Sequence, residues 1–211
     1  MADAQKAYVF KDSSRLTRVT IWAIYALCVT EGLSLIVNLV GATSAQEADA
    51  QKGFVAVQAL LLVIDFLALV VSGIITLVWI HRANTNAHAL TTQAMEFTPG
   101  WAVGWNFVPF ASLWKPFQVV REIWDVSKSP SVDGDGAPAI MRLWWGLWIA
   151  NNIFAQISGR LAGEGVATVA SDVTGLIGNA ANIASCIFLV MMMRRIAGWQ
   201  NHTAHAEAVF A

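Results

Sequence analysis

Four long apolar stretches decide what this chain can fold into. They cover residues 19–41, 53–80, 140–158 and 173–193. Each reaches the roughly 18 apolar residues that mark a spanning helix. A helix of about 23 residues rises about 35 Å, enough to cross a hydrocarbon core of about 30 Å with some tilt. Lipid offers no partner to a backbone N–H or C=O, so a crossing segment must pair its own, and a helix does so unaided. None of the four stretches alternates with the period of two that a strand requires. Composition agrees, with 56% hydrophobic and 13% charged residues, where a soluble domain carries about a quarter charged. The expected fold is an all-α integral membrane protein with four transmembrane helices. Residues 1–18 form an N-terminal segment, 19–195 a single membrane domain and 196–211 a tail.

The N-terminus does not read as a cleaved signal. About eighteen polar or mixed residues precede the first apolar run, which is longer than a signal core and contains Glu31. Cys28 and Cys186 both fall inside expected spans, so they imply no disulfide framework and read as small apolar fillers.

Orientation follows from the basic residues. With four spans, all of the 13 lysines and arginines except Lys52 and Arg160 share one side. By the positive-inside rule that side is the cytoplasm, and both termini lie there. Letting residues 101–127 cross as well would divide the basic residues almost evenly, which disfavours a fifth span. The 10 tryptophans all map to the same half. Tryptophan favours the headgroup level because its ring is apolar and its N–H is wet. A one-sided belt fits lipid anchoring, and also a partner or headgroup surface built from Trp101, Trp105, Trp114, Phe117, Arg121, Trp124, Trp144 and Trp145.

Residues 99–127 read as a re-entrant or interfacial segment on the cytoplasmic side. Thr98 and Pro99 suggest an N-cap with proline at the first helical position. Pro109 then breaks the helix, so residues 101–113 are too short to cross. From Pro116 on, Phe117, Val119, Val120, Ile123, Trp124 and Val126 fall on one half of a helical wheel. Lys115, Gln118, Arg121, Glu122, Asp125 and Lys128 fall on the other. Such a helix is expected on the membrane surface, apolar face down. Residues 127–138 read as an exposed loop.

The stretches "HRANTNAHAL" (81–90), "FTPGWAVGWNFVPFASLWKPFQVVREIW" (97–124) and "RLWWGLWI" (142–149) resemble a bacterial inner-membrane family known as domain of unknown function 4328. The resemblance is best over about residues 75–150. It implies a multi-pass bacterial membrane protein and carries no assigned activity, so it brings no catalytic residue.

Polar residues inside the spans are the remaining signal. Glu31 and Asp65 fall near mid-membrane on helices joined by a short connection, and Asn151, Asn152, Asn179 and Asn182 fall at about that depth. An ionised carboxylate at a helix centre costs about 2.5–3.5 kcal/mol even on a lenient scale. Two unpaired ones should not coexist, so either one is protonated at neutral pH or a cation occupies the layer. The plainer reading is structural, with a protonated acid bonded to an asparagine across the bundle. Elsewhere, His81 and His88 stand seven residues apart on one helix and cannot reach one metal ion from it alone. Gly159 with Gly163, and Gly175, Gly178, Ala181 and Ser185, suit close helix packing. There is no phosphate-binding loop, nucleophile elbow or basic stripe. No cofactor and no nucleic acid are expected, and the partners expected are membrane lipids and a homo-oligomer or larger membrane complex. Two function classes follow. One is an accessory protein that contacts lipid or a partner through its tryptophan-rich inner face. The other is a small proton- or cation-handling protein. An enzyme is disfavoured because no nucleophile–base pattern is present.

Overall fold

The computed structural model describes residues 8–44, 48–128, 139–163 and 168–210. The loop expected over 127–138 falls largely outside them, and of the connection between the first two spans only residues 45–47 do, the rest being helical. The described residues form six α-helices and no strand. In chain order these are α1 (Ser14–Ser44), α2 (Ala48–Leu90), α3 (Pro99–Gly104), α4 (Lys115–Ser127), α5 (Ala139–Gly163) and α6 (Thr168–Phe210). Two 3-10 turns, Trp105–Phe107 and Ala111–Leu113, separate α3 from α4.

Three helices are long and apolar enough to cross a membrane, over Ser14–Val40, Lys52–Leu90 and Ala170–Ala206. An all-helical chain with three such helices has the make-up of a membrane protein. The 25 residues of α5 rise about 37 Å, which suffices by length. Its composition holds it back, because three tryptophans, Asn151, Asn152 and Gln156 dilute the apolar run. Several helices outrun their apolar stretches. α2 continues to Leu90 and α6 to Phe210, so most of the expected tail continues a helix. Hydropathy marks where lipid would end, and nothing in "HRANTNAHAL" breaks a helix there.

The chain divides into two compact units. The apolar unit comprises Ile21–Gly73 and Leu143–Leu189. Within it, the Ser34 hydroxyl donates to Asp65, and Gln58 Nε2 donates to Asn38 Oδ1 at 2.7 Å. Positions rise along α1 as they fall along α2, so the two helices are antiparallel. α5 and α6 are antiparallel too. Ser185 Oγ donates to the Trp144 carbonyl at 3.0 Å, and Ser158 Oγ donates to the Ser171 carbonyl at 2.8 Å. Ser171 Oγ returns a bond to the Ser158 carbonyl at 3.1 Å. Here the small face of α6 is used. A Cβ at Gly178 would stand 3.3 Å from Phe154 Cβ, and one at Gly175 would stand 3.3 Å from Ser158 Oγ. Gly159 and Gly163 are not used this way, since a Cβ at either would meet nothing within 4 Å. Leu62, Phe66 and Val71 on α2 are exposed, as a lipid-facing surface would be.

The second unit comprises Met1–Thr20, Ile74–Arg142 and Val190–Ala211. Its helix ends are joined by buried polar side chains. Trp79 Nε1 donates to Thr17 Oγ1 at 2.9 Å. Asn86 Nδ2 donates to the Lys11 carbonyl at 2.9 Å, and Asn86 Oδ1 accepts from the Lys11 N–H at 3.1 Å. Gln200 Nε2 donates to the Ala83 carbonyl and to Ser127 Oγ, both at 2.9 Å. Just before α1, the Asp12 carboxylate accepts from the Ser14 hydroxyl and N–H, which hold its carboxyl below the usual range. Its help in starting α1 is thus present at neutral pH and lost as pH falls through that lowered value.

α4 carries the expected two faces, but its apolar face meets protein. Val119, Val120 and Ile123 are buried, and Trp124 is 4% exposed with its ring edge-on to Trp199 at 4.6 Å. Arg121 and Asp125 lie on the exposed side and pair at 3.6 Å. In place of the lipid expected beneath this face, Trp124 meets Trp199 of α6, and Ser127 accepts from Gln200 of the same helix.

The packing of α5 on α6 yields a paired prediction. Gly178→Leu should destabilise by about 1–3 kcal/mol by overpacking against Phe154. Gly159→Ala should stay within about 0.5 kcal/mol of wild type. Thermal melts in detergent would compare them, and equal effects would refute the α5–α6 contact.

Candidate functional site

Burying a carboxylate in an apolar helix layer requires donors, and the sequence supplies few. In the apolar unit, Asn182 Nδ2 from α6 donates to Glu31 Oε1 on α1 at 2.6 Å. On α2, Asp65 takes the Ser34 hydroxyl as its donor. Each acid is thus half satisfied. Glu31 Oε2 and Asp65 Oδ1 are both buried with no hydrogen-bond partner. Both acids line one cavity of about 740 Å³, together with Ser34, Asn38, Gln58 and Asn179. No lysine, arginine or histidine stands among its lining residues. Cys28 on α1 and Cys186 on α6 are free thiols, both half-buried.

The expected polar layer is therefore only partly assembled. Glu31, Asp65 and Asn179 share the cavity, and Asn182 supports it from behind Glu31. Asn151 packs against α6, where its Oδ1 would lie 3.4 Å from a Cβ at Gly178. Asn152 faces outward and donates to the Trp148 carbonyl of its own helix at 2.7 Å. Ser34, Asn38 and Gln58 were not foreseen. They recur on the same helix faces as the acids, one turn away at position 34 and two turns away at positions 38 and 58, the signal that could have found them.

The aromatic segment is a second candidate. Thr98 occupies the N-cap position of α3 without a side-chain cap bond, and Pro99 opens the helix. After Pro109 the chain turns back at Phe110, whose φ is 62°. Positive φ is costly for a bulky residue, on the order of 1–3 kcal/mol. Phe110 is 79% exposed, Phe107 72%, and Leu113, Trp101 and Trp114 are also exposed. The base of this hairpin is tied down firmly. The Glu122 carboxylate accepts the backbone N–H groups of Glu96 and Phe97. Lys115 pairs with Glu96 at 3.1 Å and lies over the Phe97 and Trp105 rings. His88 Nε2 meets the Phe97 carbonyl at 3.1 Å, and its ring stacks on Tyr8.

Of the tryptophan-rich surface residues, Trp101 and Trp114 are exposed and stand in the hairpin, and Arg121 is exposed on α4. Trp105 and Phe117 are half-buried. Trp124 and Trp144 are buried within the fold, and Trp145 stacks on Trp148 at 4.7 Å.

These features define a helical membrane protein with a half-satisfied acidic cavity in its apolar unit and an exposed aromatic hairpin. The chain belongs to the family called domain of unknown function (DUF4328), whose model matches residues 39–198. No curated protein and no solved structure matches it.

The bond from Asn182 to Glu31 can be tested against its neighbours. Asn182→Leu leaves neither Glu31 oxygen partnered, and should cost about 0.6–1.7 kcal/mol, the range of interhelical bonds in membranes. Asn152→Leu removes only an exposed bond within α5 and should be near neutral. Thermal midpoints in detergent would separate the two, and a silent Asn182→Leu would remove the bond from the account.

Proposed function

We propose that this protein is a four-span accessory protein of the bacterial inner membrane. Both termini lie in the cytoplasm, and the hairpin over residues 101–114 seats in the cytoplasmic leaflet. Its work is contact with lipid and neighbouring membrane proteins through that hairpin, without catalysis. The observation that carries this reading is the exposed aromatic edge of Trp101, Phe107, Phe110, Leu113 and Trp114. A soluble surface rarely exposes so many large apolar groups together. The lipid interface accepts aromatic rings at the headgroup level, with basic side chains nearby. Strain at Phe110 supports the same reading, since such backbone is held where surrounding structure and function require it. The fourth span is α5, whose tryptophans lie at its cytoplasmic end. The basic residues support the orientation, with only Lys52 and Arg160 of the 13 on the far side.

Photo-crosslinking tests the hairpin. A benzophenone amino acid placed at position 107 or 110 should crosslink phospholipid or another membrane protein in native membranes. A probe at exposed Leu62 on α2 serves as the lipid control. Crosslinks at 62 with none at 107 and 110 would sink the hairpin reading. Topology is tested separately by Gly134→Cys in a protein whose Cys28 and Cys186 are alanine. A membrane-impermeant maleimide should label it only after the cells are opened. Labelling in intact, outer-membrane-permeabilised cells would invert the orientation.

A further inference from the structure

We propose that the cavity between Glu31 and Asp65 is a binding site for a hard cation, with sodium as the first probe. Each acid has one oxygen bonded to a protein donor and one buried oxygen with none. A buried polar atom without a partner is costly, and a charged one more so. Among the described residues, no basic side chain lines the cavity to supply countercharge. One cation bound between them answers both unpaired oxygens together.

The remaining donors suit such an ion. Ser34, Asn38, Gln58 and Asn179 bring hydroxyl and amide oxygens to the same cavity. Carboxylate, amide and hydroxyl oxygens select hard cations over the softer transition metals. Among the described residues no group of three His, Cys, Asp or Glu side chains is placed to hold a metal ion. The site would therefore lean on neutral oxygens and retained water. A volume of about 740 Å³ leaves room for a partly hydrated ion. Gln58 Nε2 already donates to Asn38 Oδ1, which fixes the Gln58 amide and leaves its own oxygen as a lone-pair donor.

The test uses the full-length protein in detergent, with thermal midpoints measured against sodium, potassium, calcium and magnesium chloride. Choline chloride at matched ionic strength is the reference. At least one metal cation should raise the midpoint saturably, as ligand binding to the folded state does. Glu31→Gln and Asp65→Asn should each weaken that binding by tenfold or more while keeping the wild-type helix content. Gln58→Leu, which keeps both acids, should weaken it less, and outward-facing Asn152→Ala should leave it unchanged. Two results overturn the proposal. One is a wild-type midpoint that no metal cation raises above choline, which would leave protonated structural acids. The other is a cation effect that persists in both acid variants. The wild-type comparison decides even if an acid variant fails to fold. Because the hairpin is not involved, the outcome is independent of the crosslinking result.

Discussion

Lipid supplies no hydrogen-bond partner, and every polar group the chain takes into it must find one within the protein. The apolar unit meets this constraint with little material. Serines close the α5–α6 contact by bonding carbonyls across the interface, and glycines bring those helices near enough for it. The hydrophobic effect cannot drive this association, since lipid tails are as apolar as leucine. Close packing and interhelical hydrogen bonds carry it instead. Large side chains on α2 can therefore remain on the outside without cost.

The second unit is organised differently. Its contacts are long side-chain amides and an indole reaching between helix ends, namely Asn86, Gln200 and Trp79. They accompany a conventional apolar core in which Ile123, Met141, Met192, Met193 and Ile196 are almost fully buried. That core absorbs the apolar face of α4. The exposed aromatic groups of this unit then concentrate in the hairpin, because most of the apolar face of α4 is already covered.

Much of the helical framework is legible in the sequence, since length and apolarity translate directly into spans. The breaks at Pro99, Pro109 and Pro116 are legible for equally local reasons, fixed φ and a missing N–H. What periodicity cannot tell is the nature of the surface an apolar face meets. α4 shows this, because Trp124 would read identically against lipid or against Trp199. The site is legible at its acids and at Asn182, but Asn152 illustrates the limit. Depth in the membrane is set by residue number, whereas direction turns by about 100° per residue, so Asn151 and Asn152 part company. Ser34, Asn38 and Gln58 stayed hidden because single small polar residues in spans usually bond their own helix.

The half-satisfied state of the two acids bears on what the cavity is for. Glue between helices needs no carboxylate. Asn182 could bond a glutamine at position 31, and Ser34 an asparagine at 65, with a much smaller desolvation cost. A neutral acid would serve as well as those amides, but only while it stays protonated and its hydroxyl finds an acceptor. Here the second oxygen of each acid has no hydrogen-bond partner among the described residues, so neither acid is used to the full as glue. Carboxylates differ from amides chiefly in their capacity for charge. Two of them beside neutral oxygens, with no basic residue among the described lining of the cavity, are the reason a cation is proposed there and not a hydrogen-bond network alone.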